Sequence, residues 1–209
     1  MDGIKPLLVS RRDPASIEST VNCLLCGGVV LLPTDTVYGL AVLPTAGEAV
    51  ERLYAMKGRP RQTNLPIMVA SEANIEALGF AINGPARRLL RSPLIPGSLT
   101  LALGFARGPI CAWLAGRDEA AVRIPNDDWL LAVLRIAGPL LVTSANLHAT
   151  ETPNCLADVL SQLRGVPDLA IDGGVLRTVP STLVNCRLDP SVVERVGAVP
   201  EATVMEYLK

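Results

Sequence analysis

With 209 residues, 49% hydrophobic and 19% charged, the chain can bury one sizeable α/β core or at most two small ones, which excludes wholesale disorder. Lys and Arg (19) almost balance Asp and Glu (20), so no bulk basic field exists to grip long nucleic acid, and any cationic function is local. No apolar stretch reaches the ~20 residues of a membrane helix, the first residues lack a leader's apolar segment, and the five scattered cysteines read as reduced thiols, so a cytoplasmic protein without membrane contact is expected.

In chain order, a helix is expected from about Pro14 to Cys26, capped by Asp13 and ended by Gly27-Gly28. It contains a CxxC, Cys23 and Cys26. No second ligand pair stands at zinc spacing, so these read as small buried hydrophobes rather than a metal or redox site. "VVLLP" is a short continuous apolar run suited to a strand covered on both faces, followed by "PTDTVYGLAV". A helix over Ala46 to Met56 stops at Lys57-Gly58-Arg59-Pro60 and leads to the strand "LPIMVA". Short helices near "SEANIEAL" and "GPARRLLRS" precede "PLIPGSLTLAL", a turn then a strand. "AAVRIP" is strand-like, and "NDDWLLAVLRIAG" is a helix capped by Asn126 or Asp127 and ended by glycine. "PLLVTSAN" runs from a buried strand into a polar turn, "TPNCLADVLSQLRG" is helical, and "LAIDGG" and "STLVNC" are strands. Strands alternating with helices give an α/β fold with a twisted, open, mixed sheet and flanking helices, in one domain over 1–209.

Four segments share one form, an apolar strand breaking into small polar or cationic residues: "VVLLPTDTVYG", "KGRPR", "AAVRIP" and "PLLVTSAN". A fifth, "VPSTLVN", sets Ser181-Thr182 just before a strand. Hydroxyls and backbone N–H groups on such turns suit phosphate or carboxylate oxygens, Arg offers a planar fork to either, and Lys a point charge. The inventory fits a small anionic ligand. It fits covalent catalysis poorly, because His148 is the only histidine and no partner is evident to orient it against Ser144. Each residue has a plainer reading: Lys57 and Arg59 could complement a helix dipole, Ser144 and Asn146 could form an ordinary turn, and Asp35 reads as a turn acid or N-cap rather than a metal ligand. Arg123, inside a short apolar strand, demands a partner. No phosphate-binding glycine loop of either common type is present.

"PTDTVYGL" (33–40), "KGRP" (57–60), "PGSLT" (96–100), "AVRIP" (121–125), "TSAN" (143–146) and "STLV" (181–184) occur in the order and approximate spacing of the YrdC-like family, the threonylcarbamoyl-AMP synthases, which the chain resembles from about residue 15 to 200. The resemblance implies a twisted α/β sheet with a concave basic cavity. It also implies a reaction: L-threonine, bicarbonate and ATP, with Mg²⁺, yield threonylcarbamoyl-AMP and pyrophosphate. A separate complex then transfers the threonylcarbamoyl group to adenosine 37 of tRNA. By the same resemblance Lys57 and Arg59 hold the triphosphate, and Ser144 and Asn146 line the nucleotide side with the Val142 and Thr143 backbone. Arg195 also lies on the nucleotide, while Thr34, Arg123 and Ser181 grip threonine, Arg123 taking the carboxylate. No protein-bound metal is implied, and the form is the compact one without the extra C-terminal domain of some relatives. Asn64, Ser98 and His148 depart from the family pattern and bear on the amino-acid contacts. The rivals are a YrdC-like paralogue with another carbamoyl or nucleotide reaction, and a non-catalytic module binding tRNA or double-stranded RNA.

Overall fold

Short apolar runs too brief for helices and bounded by Gly, Pro and polar turns form the strands of one ten-stranded sheet in the computed structural model, which describes residues 5–108 and 110–209. The strands are β1 (Leu7–Ser10), β2 (Val30–Leu32), β3 (Gly39–Val42), β4 (Ile67–Met68), β5 (Leu99–Gly104), β6 (Glu119–Arg123), β7 (Leu140–Ser144), β8 (Leu169–Asp172), β9 (Thr182–Asn185) and β10 (Val192–Arg195). Their spatial order is β1-β8-β2-β3-β7-β4-β6-β5-β9-β10. The β1–β8, β8–β2, β4–β6 and β5–β9 pairs are parallel and the other five antiparallel, so the sheet is mixed, as expected.

Seven helices flank it: α1 (Ser16–Leu25), α2 (Gly47–Lys57), α3 (Glu72–Ala77), α4 (Gly84–Leu90), α5 (Asp128–Ala137), α6 (Leu156–Gln162) and α7 (Glu201–Leu208). Asp127 caps α5 as expected, its carboxylate accepting the Leu130 N–H at 2.9 Å. Asp13 does not cap α1. It closes the preceding turn, where its carboxylate accepts the Ala15 N–H at 2.9 Å, and Ala15 occupies the N-cap without a side-chain bond. The strand β1, the β10 edge and α7 were not expected from the sequence.

Coverage of the two sheet faces differs, and that difference makes the site. One face packs against α2, α3, α4, α6 and α7 through residues such as Leu53, Ile75, Leu89, Val159 and Val204. On the other, Val21 and Leu24 of α1 and Leu130, Val133 and Leu134 of α5 pack on Val30, Leu32, Ala41, Leu140, Leu169 and Ile171. That cover reaches the β8-β2-β3-β7 half. Beyond it the same face of β6, β5 and β9 presents Ala121, Arg123, Thr100 and Leu183, which line a cavity. The CxxC departs from expectation: Cys23 is half-buried and Cys26 exposed, while all five cysteines are free.

Candidate functional site

The cavity of about 240 Å³ forms where turns from distant parts of the chain meet on the uncovered half of the sheet. Its first wall is the turn between β2 and β3. The Thr34 hydroxyl donates to the Val37 carbonyl at 2.7 Å and accepts the Thr36 and Val37 N–H groups at 3.1 and 3.2 Å, which tightens the turn and turns Asp35 outward from it. Gly39 then brings β3 against β7: a side chain there would meet Val142 Cγ1 at 2.9 Å and crowd the Thr143 carbonyl.

Arg123 closes the floor at the end of β6. Only 5% exposed, it donates from Nη2 to Asp35 Oδ1 at 2.7 Å, from Nη1 to Thr36 Oγ1 at 2.9 Å and from Nε to the Gly97 carbonyl at 2.9 Å. Asp35 completes the tie by accepting the Asn126 N–H at 3.1 Å. The partner that a charge inside an apolar strand requires is therefore Asp35, a turn acid 88 residues away. Burial lowers the Arg123 guanidinium from its ordinary value, Asp35 opposes that effect, and Arg195 adds to it.

Helix α2 ends at Gly58, whose φ of +58° is a left-handed conformation suited to glycine. The chain reverses there, and Arg59 joins the cavity wall while Lys57 stays beneath it. The Arg59 guanidinium is steadied by the Thr63 and Asn64 carbonyls at 3.4 and 3.1 Å. Lys57 is 2% exposed and does not line the cavity. Its ammonium donates to the Ser144 carbonyl, to the Asn146 carbonyl at 2.7 Å and to Asn146 Oδ1 at 3.2 Å. Burial, and after it the Arg59 charge, push Lys57 down to about 7. The third cation of the segment, Arg61, pairs with exposed Glu51 and stacks over Tyr54.

Strand β7 supplies Val142, Thr143 and Ser144 to the wall. Asn146 faces Lys57 instead, and its amide nitrogen donates to the Leu147 and Thr150 carbonyls at 2.8 and 2.6 Å, which shapes the following loop. The far wall is Ser181 and Arg195. Arg195 clasps the Ser181 carbonyl through Nη2 at 2.9 Å and Nε at 3.2 Å, and burial followed by the Arg59 charge lowers its guanidinium from the ordinary value.

Of the residues expected at the site, Thr34, Arg59, Arg123, Val142, Thr143, Ser144, Ser181 and Arg195 line one cavity, while Lys57 and Asn146 lie directly behind Ser144. Among the described residues, three arginines and no carboxylate line it. Sequence reasoning did not single out Thr36 or Thr100, although both stand inside segments it quoted, on the alternate positions that face the cavity. Among the departures from the family pattern, Asn64 lines the cavity, Ser98 only accepts the Thr182 N–H at 3.0 Å through its carbonyl, and exposed His148 gives its backbone N–H to the Lys57 carbonyl at 2.9 Å.

Comparison with known proteins places the chain among relatives of one family. The Sua5/YciO/YrdC family model, described as telomere recombination, matches residues 22–197. A threonylcarbamoyl-AMP synthase of Pyrococcus abyssi is 33% identical over 176 residues, covering 83% of this chain and 52% of that protein. One of Bacillus subtilis is 32% identical over 199 residues, covering 94% of this chain and 57% of its own length. The chain thus spans about half the length of these two relatives. Among solved structures, P. abyssi Sua5 complexed with L-threonine superposes with a TM-score of 0.86 at 29% identity, covering 98% of this chain and 61% of that one.

Proposed function

Since the chain belongs to the Sua5/YciO/YrdC family, we propose that it is a threonylcarbamoyl-AMP synthase, a nucleotidyltransferase that joins L-threonine, bicarbonate and ATP and releases pyrophosphate. The observation that carries this reading is the single cavity lined by Arg59, Arg123 and Arg195 together with the Ser144 and Ser181 hydroxyls. Relatives named as threonylcarbamoyl-AMP synthases, and a threonine complex of one similar structure, support it.

The threonine amine takes up bicarbonate carbon to give a carbamate with loss of water. A carbamate oxygen then attacks the α-phosphorus in line, and pyrophosphate leaves with the electron pair of the broken P–O bond. Such a step asks for positioning and charge neutralisation rather than a protein nucleophile. Arg59 and Arg195, adjacent enough that each depresses or feels the other's charge, face the phosphates. Ser144 lines the nucleotide side with the Val142 and Thr143 backbone, backed by Lys57 and Asn146. Thr34, Arg123 and Ser181 take threonine at the opposite end. With Asp35 already paired to it, Arg123 acts as an oriented donor more than as a free charge, so Arg59 and Arg195 carry the uncompensated positive charge. Mg²⁺ would enter with ATP as part of the substrate.

The product would pass, in the cytoplasm, to a separate enzyme that modifies tRNA. No described helix is long and apolar enough to cross a membrane. The test is pyrophosphate release. Release that requires threonine and bicarbonate together supports the synthase. Release that ignores either one, or none at all, contradicts it.

A further inference from the structure

Two neighbouring hydroxyls at the amino-acid end of the cavity hold one more proton than the protein can accept. Thr100 stands second in β5 and Ser181 immediately precedes β9, and the parallel register that pairs Leu99 with Thr182 and Thr100 with Leu183 brings them side by side. Thr100 is 4% exposed and Ser181 7%, and both line the cavity. Their oxygens lie 2.7 Å apart, so one hydroxyl donates to the other. Whichever does, the second O–H finds no acceptor among the described residues. The one other bond to the pair comes from a donor, Arg195 Nη2 on Ser181 Oγ at 3.4 Å, and so leaves that proton unused. A donor in this state is costly unless water or a ligand entering the cavity completes it.

We propose that Thr100 and Ser181 work as one two-hydroxyl donor that fixes a carboxylate-type oxygen of the amino-acid substrate, with Thr100 setting the direction of the proton Ser181 presents. An anionic acceptor is indicated because two cationic donors, Arg195 and Arg123, line the same cavity. The oxygen belongs either to the threonine carboxylate or to the carbamate formed from bicarbonate. This inference rests on the synthase reading and deepens it, since Thr100 is a residue that reading did not need.

Thr100→Val removes the hydroxyl and keeps the side-chain shape. Threonine binding to it, measured by calorimetry without bicarbonate, and the KM for threonine and for bicarbonate in pyrophosphate release are the readouts. The expected result is about a tenfold weakening, the usual scale for a hydrogen bond to a charged group, with KM for ATP unchanged. Weakened threonine binding without bicarbonate assigns the carboxylate, whereas a rise confined to the bicarbonate KM assigns the carbamate. Thr100→Ser is expected to restore wild-type values, and Ser181→Ala combined with Thr100→Val to be no worse than either alone. A Thr100→Val protein that matches an active wild type in all three readouts overturns the inference and leaves the synthase standing. A wild-type protein without threonine-dependent release overturns both.

Discussion

At the scale of single residues, the site depends on buried charges whose partners are few. Arg123 is nearly inaccessible, and Asp35 is the one carboxylate joined to it. Removing one member of such a pair strands the other in a medium that solvates it poorly. Asp35→Ala is therefore expected to cost about 3 kcal/mol in urea unfolding, well above the effect of exposed ion pairs such as Arg187–Glu119. A loss below about 1 kcal/mol would mean that the carbonyls of the turn satisfy Arg123 alone. Lys57 gives a pH signature. Its folded value of about 7 lies below its ordinary value of 10.5, so between these limits the unfolded chain holds the proton that the folded one has shed. This contribution to stability is complete above 10.5 and is lost as pH falls towards 7. Cys23 and Cys186, raised by burial to about 11 from 9.0, act in the opposite sense at higher pH. The melting temperature is expected to rise from pH 7 to about 8.5, and to lose that slope in Lys57→Met, in scans at fixed ionic strength.

Among the elements, the loop after β7 carries a visible strain. Asn146 anchors it through the Leu147 and Thr150 carbonyls, and three residues later Ala149 adopts a φ of +63°. A side chain in that region costs about 1–2 kcal/mol, which glycine avoids. In "ANLHAT" an alanine stands at a residue whose backbone takes the left-handed conformation that glycine adopts without strain. Ala149→Gly is expected to raise stability by about 1 kcal/mol in thermal or urea unfolding; a neutral or harmful outcome would mean that the loop relaxes in solution. Element reading from sequence worked where the pattern was strong. The buried run of β2, the capped α5 and the glycine-ended α2 were all legible. It failed for β1, whose leucines Leu7 and Leu8 are 63% and 61% exposed on an edge strand, so no alternation marks an inner face. It failed likewise for β10, a bulged edge strand of mostly exposed residues.

Considered whole, the molecule makes its cavity by leaving half of one sheet face uncovered. The cover from helices α1 and α5 ends at β7 and Met68 of β4, and what lies beyond is a floor of small or polar side chains, Ala121 and Thr100, walled by arginines. A sequence can announce strands that end in polar turns, but the order β3-β7-β4-β6-β5-β9 that gathers those turns follows from long-range pairing. Eight of the residues named from the sequence accordingly line one cavity, whereas the depth of each residue was not legible. Lys57 was expected on the triphosphate and Asn146 on the nucleotide side, and both lie behind the wall; Asp35 read as a turn acid or N-cap and is the counter-charge of Arg123. Near-neutral overall charge is compatible with this arrangement, because composition does not show that three arginines, one of them paired with Asp35, gather in one hollow. The most direct measurement is a crystal structure with L-threonine and a non-hydrolysable ATP analogue bound together. The phosphates are expected against Arg59 and Arg195, and the amino-acid carboxylate between Arg123 and the Ser181 hydroxyl, in one continuous density. Phosphates seated elsewhere, or ligands on two separate surfaces, would contradict the shared cavity.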